Sequence, residues 1–378
     1  MKSYILSGAK ICLMDAIVEG EIVVIDGRIA AIGDCAGDYR DLPIVRYAAS
    51  DYIIPGFIDI HVHGSHGADV MDGDVDALAL MSRSLYHQGV TGFLATTMCA
   101  PDQTLETALM AIDHFCQKSY PDSADILGIH LEGPFISPHK MGAQHPDYAQ
   151  HADTDKLLYW QRLSGSRIKK LTMAPEIENA RSLIATCHKQ GIIGSIGHTS
   201  CTAKAALDAI NLGMTQATHL FNAMTGVDHR NPGAVAAILM SREVYAELIV
   251  DGVHLAPEIV DMCYNLKGSD KTILVTDAMR AQGMGDGVFD LGGQKVIVRG
   301  NEARLENGTL AGSVLSMNKA LVNMLKFSHC SLNDVIKMTS TNAAETLGLK
   351  KGKITPGYDA DLVVLNGDFE LKQVFRRG

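Results

Sequence analysis

Histidines and carboxylates recur at the ends of apolar runs along this chain, and that pairing of residue type with position points to metal chemistry. His61 and His63 close the run Phe57–His63, Glu132 closes Ile126–Glu132, His198 follows Ile192–Gly197, His219 closes Thr215–His219 and Asp277 closes Thr272–Asp277. The spacing of His61-Val62-His63 turns both imidazoles to one side of a strand, because side chains alternate faces along β-structure. A single one of the 15 histidines is ordinarily a satisfied core or surface residue, and an acid at a strand end often only caps the next helix. Four histidines and two carboxylates in the same kind of position point instead to a shared site. Imidazole and carboxylate donors without thiolate suit zinc, and also iron, cobalt or manganese. A divalent ion so held can activate water and polarise a carbonyl, and an aspartate beside it can carry a proton to a leaving nitrogen.

The elements that must position these groups follow from the texture of the chain. With Val90–Thr97, Ile168–Ala174 and Tyr245–Val250 added, there are eight short apolar runs. Between them lie amphipathic stretches such as Ala77–Gln88, Leu105–Lys118, Ile177–Gln190 and Thr202–Leu212, with Gly89, Gly191 and Gly213 placed to stop helices. This rhythm predicts an α/β fold, a (β/α)8 TIM-type barrel over 55–349, whose catalytic groups collect at the C-terminal ends of the strands. Residues 1–54 and 350–378 have a different texture. Asp26-Gly27 separates two apolar runs, a hairpin signal, and Ala360–Leu365 repeats the strand-like pattern, so both termini are expected to build one small β-sandwich domain. Gly283–Gly300 is expected to form an inserted loop and hairpin before a last long helix, Val314–Phe327, with short helices near Asn333–Thr339 and Asn342–Leu347.

Composition sets limits on partners. A formal charge of −10, from 33 basic and 43 acidic residues, argues against a general nucleic-acid surface. Any phosphate must therefore be met by a local pocket, and no nucleotide-type phosphate loop is present. The eight cysteines include no C-x-x-C pair, and most of them are expected to be small buried hydrophobes. No signal-peptide pattern or membrane-spanning run is visible, so a cytoplasmic location without a membrane partner is the default expectation.

The motif Pro55-Gly56-Phe57-Ile58-Asp59-Ile60-His61-Val62-His63-Gly64 resembles the amidohydrolase superfamily, and more closely the N-acetylglucosamine-6-phosphate deacetylases. Leu131-Glu132-Gly133-Pro134-Phe135, Gly197-His198-Thr199, Thr218-His219-Leu220-Phe221-Asn222-Ala223-Met224, Asp251-Gly252-Val253-His254, Val275-Thr276-Asp277-Ala278-Met279 and Leu310-Ala311-Gly312-Ser313 continue the match in order. The resemblance implies that Glu132, His198 and His219 bind the principal metal, that Asp277 is the catalytic base and then acid, and that His61 and His63 hold a second metal with Glu132 between the two. One or two divalent ions per subunit are thus implied, zinc first, with iron, cobalt or manganese as alternatives. It further implies that His254 polarises the acetamide carbonyl, that Asn222 and Ala223 grip the sugar phosphate, and that Gln144 occupies a sugar-binding position. Arg230, in Asp228-His229-Arg230-Asn231-Pro232-Gly233, would reach the phosphate from the neighbouring subunit of a homodimer.

The implied activity is hydrolysis of N-acetyl-D-glucosamine 6-phosphate to D-glucosamine 6-phosphate and acetate, in amino-sugar catabolism and cell-wall sugar recycling. Three other readings stand beside it: the galactosamine isomer as substrate, a cyclic-amide hydrolase of the same superfamily, and a catalytically idle metal-binding scaffold.

Overall fold

The computed structural model describes residues 3–35 and 37–377; the first two residues, Ala36 and the last residue of the expected terminal unit lie outside the described residues. Eight strands form a single parallel sheet: β1 (Phe57–Val62), β2 (Val90–Thr96), β3 (Asp125–Glu132), β4 (Ile168–Met173), β5 (Ile193–Ile196), β6 (Met214–Ala217), β7 (Tyr245–Leu248) and β8 (Thr272–Leu274). Each pairs with the next in sequence order. The rim between β8 and β1 is drawn together by a parallel bridge of Val62 with Ala278, and the Asp277 N–H donates to the His61 carbonyl at 2.9 Å. The expected barrel is therefore the fold, and its eight strands coincide with the eight apolar runs.

The helices follow the strands around the outside: α1 (Val75–Tyr86), α2 (Asp102–Cys116), α3 (Thr154–Leu163), α4 (Ala180–Gln190), α5 (Ala203–Asn211), α6 (Ala234–Met240), α7 (Pro257–Lys267) and α8 (Met317–Ser328). Local chemistry starts them: Asp74, Asp153, Thr202 and Ser316 accept hydrogen bonds from first-turn N–H groups, which satisfies donors the helix cannot pair internally. In place of two separate short helices, Leu332–Thr346 is one helical passage with a π-helical middle, Lys337–Thr341. There Thr341 Oγ1 donates 2.7 Å to the Gly352 carbonyl, tying the widened turn to the segment that follows.

Two small sheets carry the terminal segments. One orders Arg28–Gly33, Glu21–Ile25, Tyr4–Ser7 and Ile44–Arg46; the other orders Leu371–Phe375, Leu362–Leu365, Tyr52–Pro55, Lys10–Cys12 and Ile17–Val18. Leu6, Ile22, Val24, Ile11, Ile53 and Leu362 share one buried cluster between them, a sandwich built from both termini. Asp26 and Gly27 take φ values of 49° and 77°, the left-handed pair a two-residue hairpin turn demands. The insertion after β8 has three strands, Gly287–Leu291, Gln294–Arg299 and Glu302–Leu305, one more than a hairpin. Its buried side, with Leu291 and Val296, packs on Met98 and Met279 above the barrel mouth.

The barrel interior departs from the layers of branched apolar residues usual in this architecture. Asp59, His61, His130, Lys170, Thr172 and Glu247 are all fully buried on strands of the closed sheet. Among the described residues, no helix is long and apolar enough to cross a membrane. All eight cysteines are free, six of them buried, with Cys35 and Cys116 partly exposed.

Candidate metal centre and substrate cavity

Glu132 ends β3 and lies at the middle of the cluster. His198 Nε2 stands 3.2 Å and His219 Nε2 3.1 Å from the same oxygen, Glu132 Oε1, and the two Nε2 atoms are 3.0 Å apart. His63 Nε2 lies 3.2 Å from Glu132 Oε2, and His61 Nε2 3.4 Å from Glu132 Oε1. Asp277 closes the ring from the β8 side, with Oδ1 at 3.4 Å from His61 Nε2 and 3.2 Å from His63 Nε2.

Two groups within this cluster, His61–His63–Glu132 and Glu132–His198–His219, bring their donor atoms within 4.8 Å of one another. The far ring edges are anchored: His198 Nδ1 lies 2.9 Å from the Lys140 carbonyl, His63 Nδ1 3.3 Å from the Thr96 carbonyl and His61 Nδ1 3.2 Å from Glu247 Oε2. A carbonyl can only accept, so His198 and His63 carry hydrogen on Nδ1 and present the Nε2 lone pair to the centre, the orientation found in imidazoles that ligate metals. His61 Nε2 is buried without a hydrogen-bond partner. Lone pairs and carboxylate oxygens converging on one point fit a divalent cation, and the absence of thiolate leaves its identity to the nitrogen and oxygen binders.

The electrostatics agree with that fit. Burial lowers the imidazoles of His61 and His63, but Glu132 and Asp277 outweigh it and lift them to about 9 and about 10. Burial raises Asp277, yet His61 and His63 pull it down to about 2, and Glu132 is held well below the carboxylate range against its own burial by His61, His198 and His219. The carboxylates thus favour positive charge at the rim. The backbone is constrained there as well: His198, His219 and Asp277 have φ of 46°, 33° and 49°, a region costly for residues with a Cβ and often occupied at functional sites.

A cavity of about 350 Å³ opens over the cluster. Of the residues singled out from sequence, His63, Glu132, Gln144, His198, His219, Asn222, Ala223, His254 and Asp277 line it, and His61 lies buried beneath. His254 is held by Asp251, whose Oδ2 is 2.7 Å from Nδ1, leaving Nε2 available to the cavity. Gln144 donates 2.8 Å to Glu132 Oε2 and accepts from the Cys99 N–H at 2.8 Å. Asn222 hydrogen-bonds the carbonyls of His219 and Leu220. Arg230 is not among the lining residues of its own chain; it sits exposed, with its backbone N–H on Asp228 Oδ1 at 2.9 Å. The three-stranded insertion adds Leu291 and Arg304, and Met98, Thr309 and Leu310 complete the wall. Leu310 belongs to a motif singled out from sequence, whereas Leu291, Arg304, Met98 and Thr309 escaped that reading because none has a metal-ligand or proton-transfer character; the inserted hairpin was the available signal. Gly312 at φ 61° passes close to Asp277, where an added Cβ would stand 3.0 Å from the Asp277 carbonyl oxygen.

Residues 52–378 match the model of the Amidohydrolase family. An N-acetylglucosamine-6-phosphate deacetylase of Lysinibacillus sphaericus is 43% identical over 329 residues, covering 86% of this chain and 84% of that one. The protein of the same name in Bacillus subtilis (strain 168) is 39% identical over 368 residues, covering 96% and 93%. Among solved structures, a mutant N-acetyl-D-glucosamine-6-phosphate deacetylase from Mycobacterium smegmatis, in complex with N-acetyl-D-glucosamine-6-phosphate, superposes with a TM-score of 0.93 at 29% identity, covering 100% of this chain and 99% of that chain.

Proposed function

The chain belongs to the amidohydrolase family, and on that footing we infer that it hydrolyses N-acetyl-D-glucosamine 6-phosphate to D-glucosamine 6-phosphate and acetate. The observation that carries this reading is the convergence of four imidazoles and two carboxylates beneath a cavity of sugar-phosphate size, in a chain so similar to deacetylases of that substrate. Glu132, His198 and His219 would hold the principal divalent ion in this reading, and His61 and His63, with Glu132, would hold a second. Zinc is the first assignment, with iron, cobalt and manganese compatible with the same donors. When bound, such an ion supplies Lewis acidity to the amide carbonyl and to the attacking water.

The chain's own residues do the rest. Asp277, poised at the rim beside His61 and His63, takes the proton of the attacking water and returns it to the amide nitrogen, so the C–N bond breaks to amine and acetate. His254, its ring fixed through Nδ1 by Asp251, turns Nε2 to the acetamide oxygen as charge develops there. Asn222 and Ala223 hold the sugar phosphate, and Gln144 meets the sugar with the amide hydrogen and lone pair left over from its bonds to Glu132 and Cys99. Arg230 reaches the phosphate of the neighbouring subunit in a homodimer. Eight free cysteines agree with a reducing, cytoplasmic setting.

The test is a substrate panel: both acetylated hexosamine 6-phosphates, their unphosphorylated forms and a cyclic amide, with free amine or ring opening measured. Turnover confined to the gluco 6-phosphate is the expected result; turnover of the cyclic amide alone would sink the reading. Exhaustive chelation should abolish activity and divalent metal should restore it, while full activity in metal-stripped protein would refute the mechanism.

A further inference from the structure

Beneath the rim, the barrel interior holds an ion pair that the mechanism above leaves unused. Lys170 on β4 and Glu247 on β7 are fully buried, and Lys170 Nζ donates to Glu247 Oε1. The other oxygen, Glu247 Oε2, lies 3.2 Å from His61 Nδ1 and accepts the His219 backbone N–H at 3.3 Å. One carboxylate thus touches a side chain from each proposed ion position, or the backbone that carries it. His61 is also walled by His130, whose ring meets it edge-on with centroids 4.6 Å apart. His130 is itself pinned between Thr96 and Thr172.

We propose that Glu247 and Lys170 are positioning residues for the divalent ion at His61 and His63. Glu247 accepts the Nδ1–H of His61, which fixes one tautomer and aims the Nε2 lone pair at Glu132 and Asp277. Lys170 pairs with Glu247 Oε1 and so holds the carboxylate with Oε2 facing His61 Nδ1. A missing or displaced Glu247 carboxylate frees the His61 ring to carry its hydrogen on Nε2, which cannot then ligate. The pair therefore favours the second ion more than the first, because His198 is oriented independently by the Lys140 carbonyl. This rests on the proposed two-ion site; stability alone is a weak reason for the pair, since buried ion pairs often contribute little to it.

The experiment measures bound metal and its affinity in metal-stripped wild type, Glu247→Gln, Lys170→Met and the double variant Lys170→Met/Glu247→Leu. Each is titrated with cobalt(II) or zinc(II), with stoichiometry read by elemental mass spectrometry and ligand geometry by the cobalt visible spectrum. Wild type should take two ions, and each variant should lose about ten- to a hundredfold in affinity for one ion only, with an altered cobalt spectrum. The double variant, whose apolar replacements leave no lone buried charge, should fold and show the same selective loss. Two ions bound at wild-type affinity in any folded variant would overturn the proposal, as would equal weakening of both ions. So would failure of every variant to fold, which would assign the pair to the fold. A wild type that binds a single ion and still deacetylates would overturn this inference and leave the proposed activity standing; a wild type that binds none would overturn both.

Discussion

At the scale of single residues, the proposed mechanism separates groups that hold from groups that move protons. Four imidazoles crowd around Glu132, whereas Asp277 touches only the His61 and His63 side. Asp277 lines the cavity and sits at a left-handed φ of 49°, which lifts its carboxylate out of the strand direction. Replacing it by Asn retains shape and hydrogen bonding but removes the proton acceptor. Asp277→Asn should therefore bind metal and substrate while losing roughly 10²–10⁴-fold in turnover; wild-type turnover with metal retained would exclude its role. His254→Asn tests a different contribution. In the proposed mechanism it removes a single donor to the developing oxyanion, so kcat should fall by on the order of 10²–10³-fold with Asp277 intact. A change in KM alone would assign His254 to ground-state binding instead.

At the scale of elements, the inserted three-stranded sheet acts on the cavity through a contact that is easy to break. Gln294 Nε2 donates 2.6 Å to the Ala143 carbonyl, tying the insertion to the loop that presents Gly142, Ala143 and Gln144 to the cavity. Loss of one such bond typically costs about 1 kcal/mol, and here the cost falls on the loop rather than on the metal centre. Gln294→Ala should raise KM by roughly fivefold and leave metal content unchanged; an unaltered KM would remove the insertion from substrate binding.

The elements also divide by how legible they are in the sequence. The eight barrel strands are readable because strands buried on both faces are short apolar runs bounded by turn residues. The rim residues are readable because ligand-type side chains stand at their ends. α3 is less so: Thr154–Leu163 is half polar and buries only Leu157, Trp160 and Gln161, so its apolar stripe is narrow. Lys170, Glu247 and His130 are illegible for a different reason. A buried charge has no local signature, and its partner becomes apparent only when closure brings β4 and β7 across the interior. Arg304 is hidden likewise, since an arginine in a hairpin reads as solvated surface until the sheet folds over the cavity.

At the scale of the whole molecule, charge makes phosphate recognition a problem that a single chain answers poorly. The net charge is −10, and among the described residues Arg304 is the one lysine or arginine lining the cavity. Its charge is offset by Glu302, which accepts from Nε at 2.7 Å. The proposed dimer would bring a second guanidinium: Arg230 is exposed on a loop braced by Asp228, outside its own chain's cavity. Val227 beside it and Met240 at the end of α6 are also exposed, apolar surface that a second copy would cover. In a two-fold dimer, each subunit would donate its loop to the other. Arg230→Ala should then weaken use of the phosphorylated sugar by roughly 2–5 kcal/mol and barely change the poor reaction with the unphosphorylated one. Mixing supplies the decisive measurement, because inactive Asp277→Asn subunits keep Arg230 and inactive Arg230→Ala subunits keep Asp277. A mixed dimer has one site with both groups, so random exchange should restore about a quarter of wild-type activity. If mass measurements show that subunits have exchanged and no activity returns, Arg230 does not act across the interface.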